Sequence, residues 1–192
     1  MGFTREQLES FAGRSVDDLI GPQCELLFVG INPGLWTAAT GAHFARPGNR
    51  FYPALFRAGI TRIEIDASRG MSVADRDHLL ARGIGITNVV ERASAKASDL
   101  SADELREGGR RLVRTVERVA PNVVAIAGIT AYRSAFGRRD AQAGRQDARL
   151  GDAANTQVWV VPNPSGLNAH ETVDSLAAAY GGAARAAGIV LF

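Results

Sequence analysis

Two short loops hold the side chains best placed to do chemistry. Gly30-Ile31-Asn32-Pro33-Gly34 directly follows the apolar run Leu26-Leu27-Phe28-Val29, and Pro162-Asn163-Pro164-Ser165-Gly166-Leu167 directly follows Val158-Trp159-Val160-Val161. An apolar strand that empties into such a loop presents backbone N–H groups and an amide side chain at its carboxyl end, the edge where open α/β sheets bind ligands. Two glycines let the first loop approach a ligand closely, and Pro33 stiffens the turn between them. Other chemistries lack their residues. Cys24 is the only cysteine, so no intrachain disulfide and no cysteine-built zinc or iron–sulfur site can form. His43, His78 and His170 are not at metal-ligand spacing, and neither metal nor cofactor is expected. The first loop lacks the third spaced glycine of a dinucleotide fingerprint, and no Gly-Lys-Ser/Thr marks a phosphate loop. A small-molecule binding domain stays open as a reading from a different class.

The elements that must position these loops alternate between strand and helix. Thr4-Arg5-Glu6-Gln7 has capping-box form and opens a helix ending near Gly13; Ser101-Ala102-Asp103-Glu104 opens a long helix that Pro121 ends. Periodicity predicts further helices over Asn49–Ala58, Ser72–Arg82, Tyr132–Phe136 and Glu171–Ala187. Strands are predicted at Glu25–Val29, Gly85–Val90, Val123–Ala127 and Gln157–Val161, while polar Gly137–Gly151 reads as a loop. Four strands joined by helical crossovers imply an α/β fold: three α/β/α layers around a central four-stranded parallel sheet. In such a sheet the loops after Val29, Val90 and Val161 share one edge. Asn32, the Thr87–Arg92 region and Asn163–Asn168 should therefore converge. Residues 1–20 form an N-terminal helical extension and residues 21–192 a single domain.

Composition sets ordinary limits. The 192 residues are 46% hydrophobic and 22% charged, as in a soluble globular protein. No apolar run approaches the roughly 18 residues of a membrane span, and the first residues lack the build of a secretory signal, so the expectation is a cytoplasmic protein with no membrane partner. A net charge of +2 suits a polyanionic partner only mildly. Lys96 is the sole lysine among 22 basic residues; arginine suits bidentate phosphate contacts, although a G·C-rich genome gives the same bias.

Four motifs in order carry a resemblance: Gly30-Ile31-Asn32-Pro33-Gly34-Leu35, Phe44-Ala45-Arg46-Pro47-Gly48-Asn49-Arg50-Phe51, Gly85-Ile86-Thr87-Asn88-Val89-Val90-Glu91-Arg92 and Asn163-Pro164-Ser165-Gly166-Leu167. From about Glu25 to Ala187 the chain resembles the mismatch-specific uracil/thymine-DNA glycosylase family of the uracil-DNA glycosylase superfamily. The resemblance implies a uracil-DNA glycosylase-like fold and a monofunctional hydrolase of base excision repair. Such an enzyme cuts the N-glycosidic bond of uracil turned out of double-stranded DNA at G·U mismatches. Ethenocytosine and other damaged bases are further substrates by the same implication, and the site of action would be the bacterial nucleoid. Catalysis would fall to Asn32 as the water-positioning residue, helped by Thr87. A neutral amide orients water but takes no proton at pH 7, so stabilisation of the departing uracil anion by backbone N–H groups must do the rest. Gly30, Ile31, Thr37, His43, Phe44 and Asn163 would surround the base, with Phe44 stacking on it. Ser165, Gly166, Leu167 and Asn168 would meet DNA, Leu167 as the apolar wedge that fills the vacated stack.

Two departures from the family pattern bear on substrate. Thr37 stands where the thymine-acting branch has alanine and the bacterial uracil branch serine; its β-branch should crowd a 5-methyl group and favour uracil over thymine. Asn168-Ala169-His170 replaces a more basic sequence, removing one phosphate or guanine contact. His43 matches the thymine-acting branch, and could bond the base or a phosphate or stand by. Glu91 either braces the loop through Arg92 or assists the water, the role of bulky Trp36 is open, and Lys96 gives no support for a lyase. The alternative on the same fold is a catalytically weak protein that binds damaged or abasic DNA. A monomer is expected, because a duplex must reach one open sheet edge.

Overall fold

The computed structural model describes residues 2–153 and 155–192. Strands β1 (Leu26–Gly30), β2 (Ile84–Asn88) and β3 (Val123–Ala127) are buried along their whole length. Burial on both faces is the reason β1 and β3 are unbroken apolar runs rather than alternating ones. Strands β1 and β3 each divide their side chains between two cores. Leu26 and Phe28 of β1, with Val123 and Ala125 of β3, pack with Phe51, Leu55, Leu79 and Tyr180; Leu27 and Val29, with Val124 and Ile126, pack with Leu112, Val116 and Tyr132. The first core is covered by α3 (Phe51–Arg57), α4 (Val73–Ala81) and α7 (Val173–Ala186), the second by α5 (Ala102–Val119) and α6 (Ile129–Phe136). The expected three layers are present.

Among the described residues the sheet has five strands, not four, in the order β2-β1-β3-β5-β4, where β4 spans Gly144–Gln146 and β5 spans Gln157–Val161. The four predicted strands run parallel; β4 adds an antiparallel edge that pairs Arg145 with Trp159. The segment Gly137–Gly151 thus contains a strand where the sequence predicts only loop. Gly-Arg-Gln has no apolar alternation, and its extended form comes from the β5 ladder alone.

The helix start signals act at their expected positions. Thr4, Ser101 and Thr172 each close a capping box, and Ser72 caps α4 through its hydroxyl. Helix α1 (Arg5–Glu9) is shorter than its signal suggests, and α2 (Leu35–Thr40) has no counterpart among the predicted helices. Beyond α1 the N-terminal segment leaves helical form and lies along β2. Gly13 N–H donates to the Ala93 carbonyl at 2.9 Å, Ala93 N–H donates to the Arg14 carbonyl at 2.7 Å, and Leu19 pairs with Ile86 in an antiparallel bridge. Cys24 is buried, and desolvation pushes its thiol up to about 11.

Candidate active site

Strand β1 lies between β2, which follows it in sequence, and β3, so the direction of winding reverses at its carboxyl end. Such a switch point opens a crevice, and here a cavity of about 370 Å³ sits there. The Gly30–Gly34 loop forms its floor, Phe44 and Asn163 stand on its walls, and residues 94–98 close one side.

The Asn32 amide has one orientation open to it. Its Nδ2 lies 3.1 Å from the carbonyls of Pro33 and Arg92 and 2.9 Å from Ser94 Oγ. Ser94 Oγ in turn donates to the Lys96 carbonyl at 2.7 Å, so it accepts from Asn32. Three acceptors share the two amide hydrogens, which leaves Oδ1 as a fixed acceptor for the cavity.

His43 and Asn88 form a second oriented pair. His43 is 4% exposed, and its Nε2 lies 3.0 Å from the Asp17 carbonyl. A carbonyl only accepts, so Nε2 carries the proton. Burial holds the imidazole below its ordinary 6.5, against the Asp17 carbonyl and Asp18 and with help from Arg76, so the ring is neutral and Nδ1 accepts. The Asn88 Nδ2–H donates to it at 3.2 Å. Asn88 Oδ1 therefore faces the other way, over Gly30, where a Cβ would come within 2.4 Å of it. Thr87 is a correction. Successive strand residues point to opposite faces, and Thr87 is buried with its hydroxyl donating to Asp18 Oδ1 at 2.6 Å, off the cavity lining. The polar group that β2 gives the cavity is Asn88, the neighbour of Thr87 within the Thr87–Arg92 stretch expected at this edge, to which the sequence analysis gives no role of its own.

Phe44 adopts φ +55°, rare for a bulky residue, and its ring stacks on Phe51 at 4.1 Å with 23° between planes. One face is thus braced by the core, and the ring lines the cavity. Gly30, Ile31, Thr37 and His43 line the cavity, with Thr37 buried on α2. The second loop supplies Asn163, Ser165 and Leu167; Gly166 and Asn168 lie off the lining. Asn163 Oδ1 accepts from Ser165 N–H at 3.0 Å, leaving its Nδ2 hydrogens free to donate. Leu167 is 76% exposed at the mouth. Gly166 is required by close approach, since a Cβ there would lie 2.6 Å from the Gly48 carbonyl oxygen.

The family model of the uracil DNA glycosylase superfamily matches residues 18–180. The chain belongs to that superfamily. Membership makes it a DNA glycosylase by class, a hydrolase whose partner is DNA. The fold is also similar to the solution NMR structure of a candidate uracil DNA glycosylase from Methanosarcina acetivorans, with a TM-score of 0.59 at 16% identity over 87% of this chain and 93% of that one.

Several residues of this glycosylase sit differently from expectation. Glu91 pairs with Arg111 at 2.9 Å, not with Arg92, and lies off the cavity. Arg92 instead grips Glu104, and with the Ser101 N–H and hydroxyl it holds that carboxyl down at about 2. Trp36 ties α2 to the segment around Ser68. Its indole N–H donates to the Ser68 carbonyl at 2.9 Å, and Phe3 meets its ring edge-on at 5.1 Å. Lys96 lies on the cavity wall, beside the chemistry. Arg111, which sequence reasoning missed, donates to the carbonyls of Asn88 at 2.5 Å and Val89 at 3.1 Å and so fixes the end of β2. Among the described residues, no cluster of three histidine, cysteine or acidic side chains could hold a metal ion.

Proposed function

We propose that this chain hydrolyses the N-glycosidic bond of uracil flipped out of mismatched duplex DNA, with G·U the preferred site. The observation that carries the reading is the Asn32 amide, pinned through its nitrogen so that only Oδ1 remains to hold a water. Around it the cavity offers an aromatic wall in Phe44, an acceptor in Asn88 Oδ1 and donors in Asn163 Nδ2. That set complements a uracil ring, whose N3–H donates and whose carbonyls accept. Cytosine has an acceptor at N3 and meets the Asn88 oxygen badly.

The water held by Asn32 attacks C1′ as the C1′–N1 bond breaks; the bonding pair leaves with uracil, and the surplus proton of the water passes to solvent. Uracil leaves as an anion, stabilised by N–H donors already in place rather than by proton transfer to Asn32. Flipping costs a few kcal/mol, least at a weakened pair, which favours G·U over A·U. Buried Thr37 leaves little room for a 5-methyl group, so thymine is the poorer substrate.

The test is alkali-induced strand cleavage of labelled duplexes carrying G·U, A·U or G·T, with wild type beside Asn32→Ala. We expect product from G·U, less from A·U, little from G·T, and a loss of about a hundredfold or more in the variant, the size seen when one stabilising group leaves such a site. Efficient thymine release from G·T would remove the preference for uracil. Bound DNA without product, at enzyme excess, would replace hydrolysis by damage binding.

A further inference from the structure

Two loops from distant parts of the chain build the cavity mouth: residues 44–50, which carry Phe44, and residues 162–168, which carry Leu167. They are stitched together at one residue. Arg50 N–H donates to the Pro164 carbonyl at 3.0 Å. One terminal nitrogen of its guanidinium donates to the Ser165 carbonyl at 2.6 Å and the Asn168 carbonyl at 2.7 Å, and the other donates to the Glu171 carbonyl. The loops also touch backbone to backbone, where Gly166 leaves room for the Gly48 carbonyl. One cation therefore collects carbonyls along the whole length of the Leu167 loop.

This arrangement goes beyond filling space. Bonds from a charged donor are about twice as strong as neutral ones, and only a planar fork reaches carbonyls in several directions at once. The Arg50 Nε is buried with no partner, a desolvation cost that the carbonyl bonds must offset. Leu167 itself gains nothing from packing, being 76% exposed. Its direction is set by the backbone beneath it, and Arg50 holds that backbone. The next residue, Phe51, braces the Phe44 ring.

We propose that Arg50 is a positioning residue that latches the Leu167 loop to the base-stacking wall, so that wedge and pocket meet a duplex as one rigid edge. The proposal rests on the glycosylase reading above and adds a residue to it. A wedge matters only where a base must leave a stack. Arg50 therefore governs excision from duplex far more than excision from single strands.

The experiment compares single-turnover excision of uracil from a G·U duplex and from the same strand unpaired. Wild type, Arg50→Lys, Arg50→Ala, Leu167→Ala and the Arg50→Ala/Leu167→Ala double variant are used, with hydrogen exchange followed over residues 162–171. On duplex, Arg50→Ala and Leu167→Ala should each lose at least about tenfold, and the double variant should lose no more than the worse single one, as residues acting as a unit do. On single strands the two Arg50 single variants should stay within about threefold of wild type. Arg50→Lys keeps the charge but not the fork, and should behave as Arg50→Ala does while its loop amides exchange faster. Equal losses on both substrates, or additive losses on duplex, would reduce Arg50 to general structural support and overturn the latch. Loop amides that exchange in Arg50→Lys as in wild type would overturn it too, including where Arg50→Ala does not fold or wild type leaves single strands uncut. Absence of wild-type excision from duplex would instead strike the glycosylase reading itself, a result that leaves the exchange comparison to judge the loop contact alone.

Discussion

At the scale of single residues the site works by orienting amides. Asn32 and Asn88 each commit their nitrogen to protein acceptors, Ser94 Oγ and His43 Nδ1 among them, and each keeps an oxygen for the cavity. The orientation of Asn88 depends on His43 staying neutral. Once the ring is protonated both its nitrogens donate, Nδ1–H faces Nδ2–H, and the amide must turn, offering a hydrogen to the N3–H of uracil. Because burial lowers the folded-state pKa of His43 below 6.5, its contribution to stability is complete above the unfolded value and declines as pH falls below it. Uracil excision should follow the same direction, constant near neutrality and falling only once the pH drops below the ordinary histidine value of 6.5. His43→Leu, with no proton to gain, should be slower overall and lack that acid limb in single-turnover rates. An acid limb that survives in the variant would assign it to another group. Asn32 was legible in the sequence as an amide at a strand's end. Thr87 and Asn88 were not separable there, because one residue's difference in register decides which face a strand residue serves, and only the Asp18 contact reveals it.

At the scale of elements, the helices with strong start signals and the four parallel strands were legible, since caps and apolar runs are local. Those formed by long-range contacts were not. Strand β4 has nothing in Gly-Arg-Gln to announce it, and α2 begins directly behind the Gly30–Gly34 loop with no side-chain cap. The two glycines inside α5 illustrate the same limit. Helix propensity counts each as a cost of about 0.5–1 kcal/mol against alanine. Yet a Cβ at Gly108 would lie 2.3 Å from the Val89 carbonyl oxygen, and α5 must come that close for Arg111 to reach the end of β2. Backbone cannot yield as a flexible side chain does, and overpacking costs about 1–3 kcal/mol, so the clash outweighs the gain in propensity. Gly108→Ala should lower Tm by a few degrees and slow excision through the displaced Asn88. Gly182→Ala in α7, where the nearest atom is a Trp159 ring carbon at 3.4 Å, should leave Tm unchanged or raise it. Melting curves of the two variants check the contrast; equal shifts would mean that propensity, not approach, sets the cost.

At the scale of the molecule, a parallel sheet brings Asn32 and Asn163 to one edge across more than a hundred residues of chain, and that much follows from strand order alone. The part played by the N-terminal segment does not, because its contacts are carbonyls and single side chains rather than a patterned element. Leu19 exchanges both backbone bonds with Ile86, at 2.9 and 2.7 Å, and is 5% exposed. Asp17 gives the carbonyl that sets the His43 tautomer, and Asp18 takes the Thr87 hydroxyl. Helix α1 contributes no buried residue. Removal of residues 1–13 should therefore cost little, while removal of residues 1–20 strips the edge of β2 and leaves buried groups without partners. Burial of one leucine contributes about 1.5–3 kcal/mol, and each abandoned buried polar group costs about 1–3 kcal/mol. The longer deletion should thus lose at least about 3 kcal/mol, or about 6 °C in Tm for a chain of this size. Its uracil excision should fall with Asn88 unheld, even at temperatures where it remains folded. If the shorter deletion melts as early as the longer one, α1 rather than residues 14–20 carries the support, and the path from Asp17 through His43 to Asn88 is not what ties this segment to the cavity.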